Sequence, residues 1–324
     1  MASVLGWVRM FTPSSTASTQ TAFDLSVSDM RPPMRIAARS VFPFEPGSAG
    51  FGLDRARLGR RVGPFRAWFG RTAQCPRLEV TVHIGLFGGV VSEGNGCSVV
   101  VGGTAGLGLR VAAALAERGE EVVVCGRDAG RADAAAASIG ATARGLAVDL
   151  ARPAGIADAL STVGTVRHLV VTAVERDPNT VREFDIASAS RLVTMKLVGY
   201  VEVVHALAAR MRADASIVLV GGLARDRPRP GSTTMTTVTG GVGALVRSLA
   251  AELAPIRVNA VHPGLIGDSP HWADRQDVLG ATRARVPTGR LVTLGDVVDA
   301  VEFLLRNGSM NGANLTIDGG ESIS

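Results

Sequence analysis

Ser98-Val-Val-Val-Gly-Gly-Thr-Ala-Gly-Leu-Gly108 decides the fold of this chain, because an apolar run typical of a buried strand leads directly into a glycine-rich turn. The segment 109–118 that follows repeats alanine and leucine at helical spacing. In a strand, glycine turn and helix in this order, the backbone can approach a ligand closely, and the free N–H groups at the helix start face negative charge. The stretch therefore predicts a turn that holds the pyrophosphate of a dinucleotide.

Further motifs follow the glycine turn in a fixed order. Their sequence positions are Gly145-Leu-Ala-Val-Asp149, the long run Ser248–Gly264 with its Pro-Gly ending, Gly289-Arg-Leu291 and Asn311–Gly320. Together with the glycine turn, they resemble the short-chain dehydrogenase/reductase family over residues 96–324. The resemblance implies an α/β fold with a doubly wound, Rossmann-type parallel sheet of seven strands.

Apolar runs and helical periods alternate along residues 96–324, as expected for such a sheet. We expect strands at 98–101, 121–125, 143–148, 167–172, 216–221, 256–261 and 313–317, and long helices near 185–212 and 238–253. In open sheets of this type, ligands bind outside the carboxyl ends of the strands. The functional residues should therefore lie where these strands end.

Residues 1–95 have a different composition from the rest and are predicted to form a mostly disordered, basic extension. They carry 11 arginines against 6 acidic residues, are rich in Ser, Thr, Pro and Gly, and show no sustained period. Three interpretations remain open: a targeting peptide, a partner-binding arm, or translated sequence upstream of the true start. We favour the last. The domain boundary is expected at residues 95 and 96.

Charge and composition argue against several classes of partner. The whole net charge of +5 lies before residue 96, so no basic face for nucleic acid is predicted in the folded domain. No apolar run reaches the length of a membrane span, about eighteen residues. The three cysteines are an odd number and favour a reduced, cytoplasmic protein. No metal is expected, because the spacing of His, Cys and Asp does not match a ligand set.

The resemblance also implies which residues hold the cofactor. Gly126 and Arg127 close the second predicted strand without an acidic residue, which favours the 2′-phosphate of NADP(H) over NAD(H). Alternatively, Arg127 is a solvated surface residue, and Asp149 caps a helix over 150–160 instead of contacting adenine. The full set of expected cofactor-binding residues is Gly102, Thr104, Gly106, Leu107, Gly108, Arg127, Asp149, Leu150, Ala173, Pro263 and Gly264.

The family's catalytic residues are a Tyr and a Lys on one helix, a Ser on the preceding strand end and an Asn on an earlier helix. Alignment on the matching motifs puts Met235 at the Tyr position, Thr239 at the Lys position, Gly222 at the Ser position and Lys196 at the Asn position. A methionine cannot donate a proton. The chain has one tyrosine, Tyr200, and its one lysine is Lys196. We therefore expect a divergent member without the usual Ser-Tyr-Lys chemistry.

Lys196 and Tyr200 are the first candidates for substitute chemistry, because residues four apart share one face of a helix. The alternative is that Tyr200 packs in a helix interface and Lys196 satisfies backbone carbonyls. His271 is a further catalytic candidate, and Asp268 lies near the position that meets the nicotinamide amide in the family. The arginine-rich loop 225–229 suits an anionic substrate, or is a solvated loop with internal Arg–Asp pairs.

The sequence thus predicts an NADP(H)-binding oxidoreductase that acts on a small carbonyl or alcohol through non-standard catalytic residues. The alternative is a nucleotide-bound sensor, a partner subunit without catalysis, or a non-redox enzyme of cyclase or isomerase type. The resemblance implies a homo-oligomer, dimer or tetramer, formed through the helices at 185–212 and 238–253. Gly240, Gly241 and Gly243 would allow close helix packing there.

Overall fold

The computed structural model describes residues 96–175 and 177–324, together with five strands among the first 95 residues. Contacts divide the chain into two units, Met1–Val91 and Ser92–Ser324. In the first unit, three strands form an antiparallel sheet and two more pair with each other. These strands are Ala2–Met10, Thr19–Ser28, Arg35–Ser40, Phe65–Ala67 and Val80–Val82. The predicted, mostly disordered extension spans all of residues 1–95, and apart from these five strands it lies outside the described residues.

The second unit is built on one seven-stranded sheet in which every neighbouring pair of strands is parallel. Its strands are β1 (Cys97–Val101), β2 (Val122–Gly126), β3 (Ala143–Ala147), β4 (Val166–Val171), β5 (Met211–Val220), β6 (Arg257–Pro263) and β7 (Asn314–Ile317). Their order across the sheet is β3-β2-β1-β4-β5-β6-β7. The doubly wound sheet predicted from the sequence is confirmed, with its change of direction between β1 and β4.

Helices connect the strands and cover both faces of the sheet. They are α1 (Gly106–Glu117), α2 (Ala129–Ile139), α3 (Ile156–Ala159), α4 (Ile186–Val193), α5 (Tyr200–Ala208), α6 (Thr233–Glu252), α7 (Gln276–Arg283) and α8 (Leu294–Arg306). A π-helical segment, Thr194–Gly199, joins α4 to α5. The helix predicted over 185–212 is therefore not uniform, and the one predicted from 238 begins earlier, at Thr233.

Side-chain caps fix where several of these helices begin. The Asp185 carboxylate accepts hydrogen bonds from the N–H groups of Ala187 and Ser188 at the start of α4. Thr293 and Asp296 form a reciprocal capping box at the start of α8. By contrast, the helix predicted after Asp149 is only a 3₁₀ turn, Pro153–Gly155, followed by the one-turn α3.

The core consists of small aliphatic side chains on both faces of the sheet. Val99, Leu169 and Ile217 pack in one cluster, whereas Val100 and Val170, their neighbours along β1 and β4, pack in the other. Burial of alternate residues on opposite faces is the pattern of a parallel strand covered on both sides. Within residues 96–175 and 177–324, no helix combines the length and the apolar character that crossing a membrane requires.

Candidate active site

The turn after β1 has the close backbone packing that only glycine allows. Gly102 has a φ of 87°, and a Cβ atom there would lie 2.6 Å from the backbone nitrogen of Ala173. A Cβ atom at Gly108 would lie 2.1 Å from the carbonyl oxygen of Gly102. Thr172 at the end of β4 adds a side-chain hydrogen bond of 3.1 Å to that same carbonyl oxygen. These contacts hold the turn tightly between α1 and the end of β4.

The N-terminus of α1 follows directly from this turn. Its N-cap residue, Ala105, makes no side-chain cap, and the first turn, from Gly106 through Leu107 and Gly108, holds no acidic residue. The partial positive charge of a helix N-terminus is thus not countered within the first turn. A glycine turn that leads into such a helix start fits the pyrophosphate of a dinucleotide.

The end of β2 carries a glycine, Gly126, and therefore offers no carboxylate. A Cβ atom at Gly126 would lie 2.4 Å from Cγ2 of Thr104, so the Thr104 side chain covers this glycine. The neighbouring Arg127 does not point freely into solvent, because its Nη1 atom donates to a carboxylate oxygen of Glu175. Glu175 lies in the loop after β4, which places Arg127 in an ion pair that the sequence did not predict.

Asp149 and Leu150 lie at the end of β3. The Asp149 carboxylate accepts a hydrogen bond of 3.0 Å from the N–H of Ala151, and it lies 3.9 Å from the Arg191 guanidinium. Asp149 therefore caps a tight turn rather than a long helix. Leu150 is buried, and its carbonyl oxygen would lie 2.4 Å from a Cβ atom at Gly199. The end of the π-helical segment is thus packed against this loop.

Lys196 and Tyr200 lie side by side under the carboxyl ends of β4 and β5. The Lys196 ammonium donates hydrogen bonds of 2.8 Å to the Tyr200 hydroxyl oxygen and 2.7 Å to the carbonyl oxygen of Val220. The Tyr200 hydroxyl in turn donates to the carbonyl oxygen of Ala173 at 2.9 Å. Both side chains have no exposed surface.

Burial changes the acidity of both groups. Desolvation lowers the pKa of Lys196 to about 7, because the charged amine loses its water. The same effect raises the pKa of the Tyr200 phenol above its ordinary value. At neutral pH, the lysine can therefore take up or release a proton, whereas the tyrosine stays protonated.

Gly222 and Thr239, which the sequence analysis aligns with the family's catalytic Ser and Lys, lie close together. A Cβ atom at Gly222 would meet Cγ2 of Thr239 at 3.5 Å, an ordinary contact. The Thr239 hydroxyl donates to the carbonyl oxygen of Met235 at 2.8 Å, within α6. Gly222 has no side chain, and the Met235 side chain has no proton to donate.

His262 connects three elements behind the site. Its Nδ1 atom accepts a hydrogen bond of 3.3 Å from the N–H of Gly222, and its Nε2 atom donates to Oδ1 of Asn314 at 2.8 Å. Asn314 also donates to the carbonyl oxygen of Gly243 in α6 at 3.1 Å. Burial lowers the pKa of His262, so the neutral imidazole is favoured. The geometry is that of a structural residue.

Beyond the Pro263-Gly264 turn, the contacts of Asp268 and His271 are with residues other than Lys196. The Asp268 carboxylate accepts a hydrogen bond of 2.8 Å from the N–H of Leu294, at the first turn of α8. His271 is exposed on a 3₁₀ turn, with its ring 4.6 Å from that of Trp272 in an edge-to-face arrangement. Gly264 itself is held to β7 by a hydrogen bond of 2.8 Å to the carbonyl oxygen of Ile317.

The arginines of the loop after β5 already have acceptors in the chain. Arg225 pairs with Asp226 at 2.7 Å, and the Arg227 guanidinium donates to the carbonyl oxygen of Glu321. Arg229 pairs with the carboxylate of Glu321, whose other oxygen has no hydrogen-bond partner. Hence these guanidinium groups hold the C-terminal turn. Within the described part of the chain, no group of His, Cys, Asp and Glu is placed to hold a metal ion.

The sequence did not single out Glu175 or Arg191. Glu175 receives hydrogen bonds from Arg127 and from Arg191, the latter at 2.8 and 3.0 Å. The available signal was a charged residue directly after a buried strand, at the end where ligands bind. The two partners of Glu175 lie on other elements, Arg127 after β2 and Arg191 in α4, so a local sequence pattern does not reveal these contacts.

The sequence matches the family described as enoyl-(acyl carrier protein) reductase over residues 102–322. It is 31% identical to 2-(S)-hydroxypropyl-CoM dehydrogenase 3 of Xanthobacter autotrophicus, over 70% of this chain and 96% of the relative. It is 34% identical to cis-4-hydroxycyclohexanecarboxylate dehydrogenase of Sinomonas cyclohexanicum, over 69% and 95%. A solved short chain dehydrogenase/reductase family protein superposes with a TM-score of 0.65 at 31% identity, covering 70% of this chain and 97% of that one.

These similarities and the fold define the class of protein. The chain belongs to the short-chain dehydrogenase/reductase family, whose members are NAD(P)-dependent oxidoreductases of small carbonyl and alcohol substrates. A 3-ketoacyl-(acyl-carrier-protein) reductase from Brucella melitensis, solved with NADH, has the same fold, with a TM-score of 0.63 at 27% identity over 71% of this chain and all of that one.

Proposed function

We propose that this protein is an NADP(H)-dependent oxidoreductase that uses Lys196 and Tyr200 in place of the family's catalytic residues. The observation that carries the proposal is the position of this pair: the lysine and tyrosine bridge the carbonyl groups of Ala173 and Val220, where β4 and β5 end. This is the edge of the sheet at which ligands bind in folds of this type.

The glycine turn and the open N-terminus of α1 would hold the pyrophosphate of the cofactor, which supplies or accepts a hydride when bound. Gly102 and Gly108 allow the backbone to form this tight turn, since any side chain there would strike the backbone. Arg127 would hold the 2′-phosphate, since an arginine fork suits a phosphate group. The absence of a carboxylate at Gly126 removes the group that would repel this phosphate.

Lys196 would serve as the proton reservoir of the site. Efficient proton transfer needs a group whose pKa lies near the working pH, and burial brings the pKa of Lys196 to about 7. Tyr200 would orient the amine, because its hydroxyl accepts from Nζ and is itself fixed on the carbonyl of Ala173. In this role Tyr200 is a positioning residue that keeps its proton, or it passes its proton to the substrate and regains one from Lys196.

A nucleotide-binding protein without turnover is the second candidate, favoured by one observation. Lys196 and Tyr200 are both fully buried and bonded to backbone carbonyls, as expected of structural residues. In that case, the pair stabilises the ends of β4 and β5, and the cofactor acts as a ligand. A sensor or partner subunit of this kind would bind NADPH but would not oxidise it.

Calorimetric titration of the full chain with NADPH and with NADH tests the proposal, followed by NADPH oxidation with a panel of small ketones and aldehydes. We expect tighter binding of NADPH and turnover with at least one carbonyl compound. Binding without turnover across the panel would favour the second candidate. Failure of both nucleotides to bind would overturn both.

We further propose that the protein forms a homo-oligomer through α4, α5 and α6. The outer face of α4 and α5 exposes Ile186, Val193, Val198 and Val201. Beside it, a cavity of about 440 Å³ lies between α4 and the start of α6, lined by Phe184, Ile186, Ala189, Ser190, Val193, Thr194, Thr233, Thr234 and Thr237. Apolar surface of this kind marks a contact with another chain. A Cβ atom added at Gly241 would lie 2.8 Å from the Leu197 side chain, so the glycine lets α6 pack closely against that side chain.

A further inference from the structure

A chain of ion pairs crosses the carboxyl edge of the sheet at the place where the dinucleotide would lie. Arg127, in the loop after β2, pairs with Glu175, in the loop after β4. Glu175 also pairs with Arg191 of α4 at 2.8 Å, and Arg191 lies 3.9 Å from the carboxylate of Asp149 after β3. We call Arg127, Glu175 and Arg191 the strap.

The order of the strands shows what the strap crosses. β2 and β4 are not neighbours, because β1 lies between them. Adjacent strands are about 4.8 Å apart, so the ends of β2 and β4 are separated by roughly 10 Å. The ion pair between Arg127 and Glu175 therefore passes over the end of β1, where the glycine turn begins at Gly102.

Both guanidinium groups of the strap already face a carboxylate before any ligand arrives. Glu175 supplies one negative charge for two guanidinium groups, and Asp149 supplies a second at the Arg191 end. The Glu175 side chain is 24% exposed, so water screens its pairs only in part. A phosphate dianion at Arg127 would face this carboxylate at close range, and like charges repel.

We propose that Glu175 is a specificity-determining residue of the cofactor site, which competes with the 2′-phosphate of NADP(H) for Arg127. This inference rests on the proposed function, because it assumes a dinucleotide in the crevice. Binding of NADP(H) exchanges the carboxylate of Glu175 for the 2′-phosphate at Arg127. NAD(H) lacks that phosphate, so it gains nothing at Arg127 when the strap opens.

The test compares dissociation constants of the full chain for NADPH and NADH, measured by calorimetry, in the wild type and in Glu175→Gln. The variant keeps the size of the side chain and removes its charge. We expect NADPH to bind about 1.4- to 5-fold more tightly, the range set by one partly exposed ion pair. The affinity for NADH should change by much less.

Asp214→Asn is the matched control, since it removes the same charge from an ion pair at the start of β5. Asp214 pairs with Arg212 at 2.8 Å, at the opposite end of the strands from the glycine turn. Its affinities for NADPH and NADH should equal those of the wild type. A gain in NADPH affinity in this control as large as in Glu175→Gln would assign the effect to net charge and overturn the proposal.

Adenosine 2′,5′-bisphosphate and 5′-AMP separate the 2′-phosphate from the rest of the cofactor. Glu175→Gln should tighten binding of the bisphosphate and leave 5′-AMP unchanged. Equal affinities in wild type and variant for NADPH and for the bisphosphate would overturn the role of Glu175 while the cofactor site stands. If neither protein binds any of the four nucleotides, the proposed function fails and this inference fails with it.

Discussion

The Nζ atom of Lys196 lies 2.8 Å from the hydroxyl oxygen of Tyr200 and 4.8 Å from the centre of its ring. The ammonium has no carboxylate among its hydrogen-bond partners, which are this hydroxyl and the carbonyl oxygen of Val220. When a buried lysine has only neutral hydrogen-bond partners, no ion pair offsets the free energy of removing its ammonium group from water. The free energy of unfolding should therefore depend on whether the Lys196 side chain is protonated.

Replacing Lys196 with methionine should change how stability depends on pH. The folded protein holds the lysine with a pKa of about 7, whereas the unfolded chain keeps its proton up to the ordinary value of 10.5. Between these values the unfolded state binds more protons, so the wild type should gain stability as pH rises, by at most about 1.4 kcal/mol per pH unit from this group. Denaturant unfolding of both proteins from pH 6.5 to 9.5 measures the difference, and parallel curves would contradict the burial of a titrating lysine.

Catalysis through the same pair predicts a second, kinetic result. Lys196→Met and Tyr200→Phe should each lower kcat by about 100-fold, the usual contribution of a positioned proton donor, while calorimetry shows unchanged NADPH affinity. The pH profile of kcat should lose its inflection near 7 in Lys196→Met and keep it in Tyr200→Phe, which retains the lysine. Full activity in either variant would show that another group transfers the proton.

The packing of the glycine turn predicts a steric effect on binding and on folding. Gly108→Ala places a Cβ atom 2.1 Å from the carbonyl oxygen of Gly102 and should cost about 1–3 kcal/mol of stability and at least tenfold in nucleotide affinity. Gly155→Ala is the control, because its φ is −96° and no atom lies within 4 Å of the added Cβ. Thermal unfolding and calorimetry check both, and equal behaviour of the two variants would contradict the tight turn.

Restoring the family's residues should create or increase carbonyl reduction. A Cβ atom at Gly222 meets Thr239 at the ordinary distance of 3.5 Å, so a serine fits there. The triple variant Gly222→Ser, Met235→Tyr, Thr239→Lys should reduce simple ketones faster than the wild type and faster than any single variant. Each single variant serves as its control, and a folded triple variant without any gain would show that the crevice lacks other parts of the usual site.

The apolar face of α4 and α5 predicts where association can be disrupted. Ile186→Asp and Val201→Asp place charges on this face and should convert the oligomer into monomers, measured by light scattering after gel filtration. Phe303→Asp is the control, since Phe303 is 43% exposed on α8, outside the proposed interface. A monomeric wild type would refute the oligomer outright.

Most of the strands were predictable because they contain a short apolar run that a polar or glycine turn follows, whereas β3 and β7 do not. Val99–Val101 is such a run, and the sheet buries it on both faces, so its period could not be mistaken for that of a surface helix. The boundaries were less exact where tertiary contacts decide them. β5 begins at Met211, before its apolar run, because Met211 pairs with Val166 across a shift of register.

The glycine turn of the site could be predicted from the sequence, whereas its ion pairs could not. Gly102 and Gly108 follow from local geometry, which a sequence pattern records directly. The ion pair of Arg127 with Glu175 joins two loops that the strand order brings together. No residue near Arg127 in the sequence indicates this partner. The π-helical segment around Lys196 was hidden for a similar reason, since its residues also suit an ordinary helix.

The cover that Thr104 forms over Gly126 constrains how this protein could acquire an acidic residue at the end of β2. An aspartate at position 126 would bring a Cβ atom within 2.4 Å of Cγ2 of Thr104, so the change is obstructed while that threonine remains. A smaller residue at position 104 removes the obstruction. The accessible mutational route therefore has an order, with position 104 changing first and the acidic residue second, and the reverse order passes through a strained intermediate.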